Sequence, residues 1–233
     1  MSLLSVNDIH TNIGQFQILE GVDFQVEQGS IVALLGRNGA GKTTTLRSIL
    51  GLNPPRSGSI HFDGEDLAGL RTFEIADRGI GFVPENRAIF GALSVEENLR
   101  IAERTPGDLD RKAEFVFSLF PDLKRLIRLP GTSLSGGQQQ MLAVARALVP
   151  DNRLLLIDEP SEGLAPVLIE QMMEAISQLA EHTTVVLVEQ NFIVASRLAN
   201  TYVIIEEGVS VQSGQMADLV EDRETIVKYL GAS

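Results

Sequence analysis

The sequence contains no cysteine and no tryptophan. Without thiols there can be no disulfide and no thiolate metal site, a pattern that fits the cytosol. It also lacks an excess of positive charge: 19 Lys and Arg against 31 Asp and Glu leave a net charge of −12. A general nucleic-acid binder needs a basic face, because phosphate contacts dominate that affinity, so nucleic acid is not an expected partner. Lys124, Arg125 and Arg128 read as a solvated helix face rather than such a patch. No run of roughly 18 apolar residues occurs, so no segment is expected to span a membrane. The start, MSLLSVNDIH, has neither a basic n-region nor a long apolar stretch, and no signal peptide is expected. The histidines, His10, His61 and His182, are scattered without ligand spacing, which argues against zinc. Asp63-Gly64 reads as a β-turn, not a calcium loop.

What is present is enough apolar material, 44% of 233 residues, for one large domain or two small subdomains. Leu3 to Val6 and Val22 to Val26 read as strands. Ile31 to Leu35 (IVALL) and Leu154 to Ile157 are continuous apolar runs, which suit strands buried on both faces. Ile60 to Phe62, Ile80 to Val83, Val185 to Val188 and Tyr202 to Ile205 predict further strands. Helices are expected over Lys42 to Leu50, from the Ser94/Glu97 capping box to about Glu103, through most of Asp110 to Leu148 with a break at Pro130-Gly131, over Pro166 to Leu179, over Phe192 to Leu198, and twice more near the end. Strand–helix alternation around a helical insert predicts an α/β fold. Residues 1–87 and 149–233 would form a mostly parallel sheet core with an N-terminal antiparallel β portion, and 88–148 a helical subdomain.

Three short stretches carry chemistry. Gly36-Arg37-Asn38-Gly39-Ala40-Gly41-Lys42-Thr43, followed by Thr44, fits a P-loop pattern placed between a buried strand and a helix. Its glycines let backbone N–H groups turn inward around a phosphate, and the helix adds its positive dipole end. Lys42 would reach the β- and γ-phosphates, and Thr43 would offer a hydroxyl to Mg²⁺. Asp158 and Glu159 end the second buried strand beside that loop. Asp158 can hold the Mg²⁺ shell, and Glu159 can take a proton from an attacking water. Leu134-Ser135-Gly136-Gly137-Gln138 opens a helix with Ser135 as N-cap, which leaves exposed N–H groups at the glycines as a second anion site.

Together these stretches resemble the nucleotide-binding subunit of ABC transporters, and the resemblance covers essentially the whole chain. It implies an ATPase using ATP and Mg²⁺, in which two subunits sandwich two nucleotides. Leu134 to Gln138 would then act in trans on nucleotide held by the partner. It further implies hydrophobic membrane-spanning permease subunits, a solute-binding protein as an indirect partner, and a place on the inner face of the cell membrane. Three positions depart from the common pattern: Glu85 stands for a Gln expected to touch the metal, Gln190 for a His that contacts the γ-phosphate, and Ile13 for an aromatic that stacks on adenine. Glu85 and Gln190, with Gly163 to Pro166, Arg37-Asn38-Gly39 and Gln138 to Met141, resemble the branch that serves branched-chain amino acid importers. The urea-type importers are close relatives of that branch. Gln190 can donate an amide N–H but cannot carry a proton. Phe16 is the candidate to replace the missing aromatic, with ordinary strand packing as the competing reading.

Two readings from other classes are disfavoured. A soluble ABC ATPase of DNA repair would carry a long coiled-coil insert, and one of translation would carry two cassettes. A small-molecule P-loop kinase has no use for Leu134 to Gln138. The segment Asn86 to Leu93 places Ile89 and Phe90 in a loop, which is expected to form the contact with the membrane subunits, with Phe90 folding back onto the helical subdomain as the competing reading.

Overall fold

The structure, a computed structural model, describes residues 2–231. In chain order its strands and helices are β1 (Ser2–Ile13), β2 (Phe16–Glu27), β3 (Ile31–Leu35), α1 (Lys42–Ile49), β4 (Ser57–Phe62), β5 (Glu65–Asp66), α2 (Thr72–Asp77), β6 (Ile80–Val83), α3 (Val95–Arg100), α4 (Asp108–Leu119), α5 (Pro121–Arg125), α6 (Gly136–Leu148), β7 (Leu154–Asp158), α7 (Pro166–Ala180), β8 (Thr184–Val188), α8 (Phe192–Leu198), β9 (Thr201–Glu206), β10 (Val209–Gln215), α9 (Met216–Glu221) and α10 (Arg223–Thr225). A π-helical turn, Ile226–Leu230, closes the described chain.

Among the described residues the strands follow the order β5-β4-β1-β2-β10-β9-β3-β8-β7-β6. The β9-β3-β8-β7-β6 half is parallel. Its central strands β3, β7 and β8 are buried along their whole length, as their unbroken apolar runs require. The β5-β4-β1-β2 half is antiparallel. The halves meet through β10, which pairs antiparallel with β9 and touches β2 at the single bridge Val209 to Gly21.

Several local expectations need correction. The N-terminal strands are 12 residues long, well beyond the expected Leu3 to Val6 and Val22 to Val26. Their polar interruptions are absorbed by register shifts, with Asp8 at φ 45° in the shift between Val6 and Ile9. The sequence pattern does not predict strand β10, because its mixed polar pattern belongs to a partly exposed strand. Helix α3 stops at Arg100 rather than near Glu103. The Asp108 carboxylate takes the backbone N–H groups of Arg104 and Thr105, at 2.9 and 2.8 Å, so side-chain bonds replace helical ones there.

One apolar cluster lies between the antiparallel half, α1 and one face of the parallel strands. A second joins the opposite face of β7 and β8 to α3, α4, α5, α6 and α7. The helical segment therefore shares its core with the sheet that carries the loops described next.

Candidate active site

In a parallel sheet the loops leaving adjacent strands gather at the carboxyl edge, and ligands bind there. The order β3-β8-β7 brings together the loop after β3, the end of β7 and the residues after β8. They line an open cleft of about 380 Å³ with Ile13, Ile18, Asn38, Gly39, Gly41, Lys42, Thr43, Thr44, Glu85, Glu159, Glu162 and Gln190 on its walls.

The loop Gly36–Gly41 owes its path to its glycines. At Gly36, φ is 144° and a Cβ would sit 2.2 Å from the Ile205 carbonyl oxygen, so no side chain fits. The Lys42 side chain is buried and folds back, its Nζ donating to the carbonyls of Gly36 (2.9 Å) and Arg37 (3.1 Å) and lying 3.8 Å from Glu159 Oε1. Burial pulls the ammonium below its ordinary pKa, and the carboxylates of Glu159 and Asp158 oppose that pull. The Thr43 hydroxyl donates to Asp158 Oδ1 at 3.2 Å. Burial, then the charges of Glu159 and Glu85, push the Asp158 carboxyl up to about 6, against the Thr43 hydrogen bond and Lys42.

Glu159 is buried and sits at φ 46°, a left-handed conformation that is uncommon for a side chain of this kind. Three hydrogen bonds define it. Its backbone N–H donates to the Val188 carbonyl at 2.9 Å, and Gln190 Nε2 donates to both carboxylate oxygens at 2.9 and 2.8 Å. Glu85 has a raised pKa, from desolvation first and then from the carboxylates of Glu162 and Glu159.

The structure thus brings Gly39, Gly41, Lys42, Thr43, Thr44, Asn38, Glu85, Glu159, Gln190 and Ile13 to one cleft, and Asp158 is bonded to Thr43. Arg37 and Ala40 face a smaller cavity of about 240 Å³ behind the loop, where an Arg37 Nη donates to the Lys228 carbonyl at 3.3 Å. Phe16 is 65% exposed at the tip of the β1–β2 hairpin and does not line the cleft. Ile18, two residues further along β2 at a register shift in its pairing with β1, does. Ile18 and Glu162 escaped the sequence reading. Glu162 had a usable signal, since it follows Glu159 by three residues and its N–H closes a turn onto the Glu159 carbonyl at 3.2 Å.

Leu134 to Gln138 lies outside that cleft. Ser135 caps α6 by accepting the Gln138 N–H at 3.3 Å, while Gln138 Oε1 accepts the Ser135 N–H at 3.0 Å. Leu134 and Gly137 are buried, and Ser135 and Gly136 are exposed. A Cβ at Gly137 would lie 2.3 Å from Leu168 Cδ1, so α7 packs directly over this glycine.

Among the described residues no cluster of three or more His, Cys, Asp or Glu is arranged to hold a metal by itself. One hydroxyl and one acid, Thr43 and Asp158, with Glu85 in the same cleft, suit a magnesium ion that takes its remaining oxygens from phosphates and water.

A glycine-rich loop between a buried strand and a helix, with an acid at the end of a neighbouring parallel strand, defines a P-loop nucleotide hydrolase. The chain belongs to the ABC transporter family, whose model, described as "ABC transporter", matches residues 19–162. It is 42% identical over 232 residues to the high-affinity branched-chain amino acid transport ATP-binding protein BraG of Pseudomonas aeruginosa, covering 98% of this chain and 100% of that one. It is 32% identical to the probable branched-chain amino acid transport ATP-binding protein LivF of Archaeoglobus fulgidus, covering 94% of each. A solved ATP-binding subunit of an ABC transporter superposes with a TM-score of 0.83 at 29% identity, covering 99% of this chain and 97% of that one. The chain is an ATP-binding, ATP-hydrolysing subunit of an ABC importer. Among the described residues no helix is long and apolar enough to cross a membrane.

Proposed function

We propose that this subunit drives uptake of branched-chain amino acids, working as one of a pair of ATPase subunits against membrane-spanning permease subunits on the cytoplasmic face of the membrane. The observation that carries the hydrolytic part is the Lys42–Glu159–Gln190 arrangement beside the Thr43–Asp158 pair. The near full-length likeness to BraG supports the choice of solute.

In this reading the N–H groups of Gly39, Gly41, Lys42 and Thr43 hold the β- and γ-phosphates, and Lys42 exchanges its carbonyl bonds for phosphate oxygens. Thr43, Asp158 and Glu85 hold magnesium, which when bound neutralises charge on the phosphate oxygens. Glu159 accepts the proton of the attacking water as its oxygen bonds to the γ-phosphorus and ADP leaves. Gln190 fixes that carboxylate and gives a contact that does not titrate, unlike a histidine. Ile13 and Ile18 cover the adenine with aliphatic surface in place of a stacked ring. Residues 88–148 act as the unit that presents Ser135, Gly136 and Gln138 to nucleotide bound by the partner subunit.

The test is reconstitution of this subunit with its permease and solute-binding partners in vesicles containing ATP. ATP-dependent accumulation of leucine, isoleucine or valine is expected, and Glu159→Gln should abolish it. Accumulation of urea or sulfate instead, with none of the three amino acids, would overturn the solute assignment and leave the ATPase reading standing.

A further inference from the structure

Glu189 is 2% exposed and is not on the wall of the nucleotide cleft. Burying a carboxylate is costly unless it is paired or fully hydrogen-bonded, and Lys42 pairs with Glu159 rather than with it. Its acceptor capacity goes to three donors. Oε1 accepts the Ser161 backbone N–H at 3.1 Å, and Oε2 accepts the Ser161 hydroxyl at 2.9 Å and the Asn191 N–H at 3.3 Å. Burial nevertheless raises its pKa, against the bonds from Ser161 and Asn191.

Three consecutive residues leaving β8 thus clasp the loop leaving β7. Val188 accepts the Glu159 N–H through its carbonyl, Glu189 holds Ser161 through its carboxylate, and Gln190 holds the Glu159 carboxylate through its amide. The clasped loop runs on through Gly163 and Leu164 into α7, whose Leu168 packs over Gly137. One end of the loop orients the base, and the other supports the helix start that carries Ser135 and Gly136.

We propose that Glu189 is a positioning residue for ATP hydrolysis, its carboxylate fixing the Ser161 loop so that Glu159 and Gln190 keep their mutual geometry. The proposal rests on the reading of Glu159 as the base. The site demands a carboxylate specifically. Each oxygen already faces a backbone N–H, so an amide in either orientation sets its own NH₂ against one of them.

The experiment compares the full chain with Glu189→Gln, Ser161→Ala, the double variant and Glu159→Gln, measuring kcat, KM for ATP, binding of a fluorescent ATP analogue, and Tm. Glu189→Gln should lower kcat by about 10- to 100-fold, the usual consequence of a small misplacement of reacting groups. KM and analogue binding should stay within about threefold, because the phosphate loop is untouched. Ser161→Ala should lower kcat by a smaller factor, and the double variant should be no worse than Glu189→Gln, since both remove one interaction. A folded Glu189→Gln protein with kcat near wild type, or losses that multiply, would overturn the proposal. A lower Tm with unchanged kcat would do the same and leave Glu189 a structural residue only. Should Glu189→Gln fail to fold, Ser161→Ala decides: unchanged kcat there overturns the idea. Near wild-type hydrolysis by Glu159→Gln would defeat the base assignment itself, whatever Glu189 does.

Discussion

Lys42, Asp158 and Glu159 are buried and bonded to one another or to the loop that carries them, whereas Ser135 and Gly136 stand exposed at the start of α6. The two regions use the same device, backbone N–H groups at a helix N-terminus, but only the first is enclosed by acid, base and cation from its own chain. The second has a capped helix start and no catalytic group in its neighbourhood that the cleft shares. The difference teaches that one region is prearranged within its own chain and the other is not. In the function proposed above, the second region acts only when another subunit brings nucleotide to it.

The most damaging way to break the enclosed region is to remove the proposed base. Glu159→Gln should slow hydrolysis by about 10²–10⁴-fold while ATP still binds, because an amide keeps the shape but cannot take a proton. Single-turnover hydrolysis beside a nucleotide-binding titration checks this, and hydrolysis near the wild-type rate refutes it. The same variant sharpens the comparison. Trapped with Mg-ATP it should run as a dimer in light scattering and as a monomer without nucleotide. Adding Ser135→Arg, at the exposed helix start, should return it to monomer. A monomer at high concentration under saturating Mg-ATP would show that the second region needs no partner nucleotide.

The enclosed region also carries a stability cost that the exposed one does not. Without ligand the Asp158 carboxyl is pushed up to about 6 from an ordinary value of 3.8. An acid whose pKa rises on folding binds protons more readily in the folded chain. Its contribution is therefore most favourable below pH 4 and is lost as pH rises through 6. At about 1.4 kcal/mol per pH unit the loss is roughly 3 kcal/mol. Asp158→Asn, which cannot ionise, should raise the Tm of the ligand-free protein at neutral pH by roughly 5–10 °C and flatten its acid dependence. Calorimetry across pH 4 to 7 tests it, and an unchanged profile would place the pH dependence elsewhere. Ser135→Ala, at the exposed region, should cost only about 1 kcal/mol of helix capping.

The same contrast explains what could be read from the sequence. The phosphate loop was legible because its glycines, Lys42 and Thr43 are contiguous and flanked by a buried strand and a helix. Asp158 and Glu159 were legible because an apolar run ends in them. The Glu189–Ser161 clasp was not. It joins residues 28 positions apart, and an acid after an apolar strand looks like any strand end. Phe16 misled because closeness to Ile13 in sequence at a hairpin tip is not closeness to the cleft, and its aromatic character said nothing of depth. Strand β10 was hidden by its partly exposed, mixed pattern, and only its pairing with β9 defines it.

The last expected effect concerns the segment after Glu85, where the sequence places two exposed apolar residues and the structure leaves one. Ile89 is half-buried and packs against the helical core, a correction to the expectation that it stands free. Phe90 is 46% exposed. Its backbone is fixed by the fully buried Asn98, which accepts the Phe90 N–H at 2.8 Å and donates to the carbonyls of Phe90, Leu93 and Ser94. Arg146 holds the other side, donating to the Ala88 carbonyl at 2.6 Å with its guanidinium 5.1 Å from the Phe90 ring centre. Arg87 and Ala88 sit at φ 63° and 46°, so the loop is bent into place rather than loosely draped. A rigid backbone with a half-exposed ring suits an anchor for a membrane subunit, since little ordering is left to do on binding. Phe90→Ala should therefore weaken binding to the permease by roughly 1–3 kcal/mol. Fold stability should fall by no more than about 1 kcal/mol, the worth of an exposed cation–π contact. Co-purification with the permease beside a thermal melt separates the two. A large fall in Tm with unchanged permease binding would place Phe90 in the core and leave the contact with the membrane subunits to other residues.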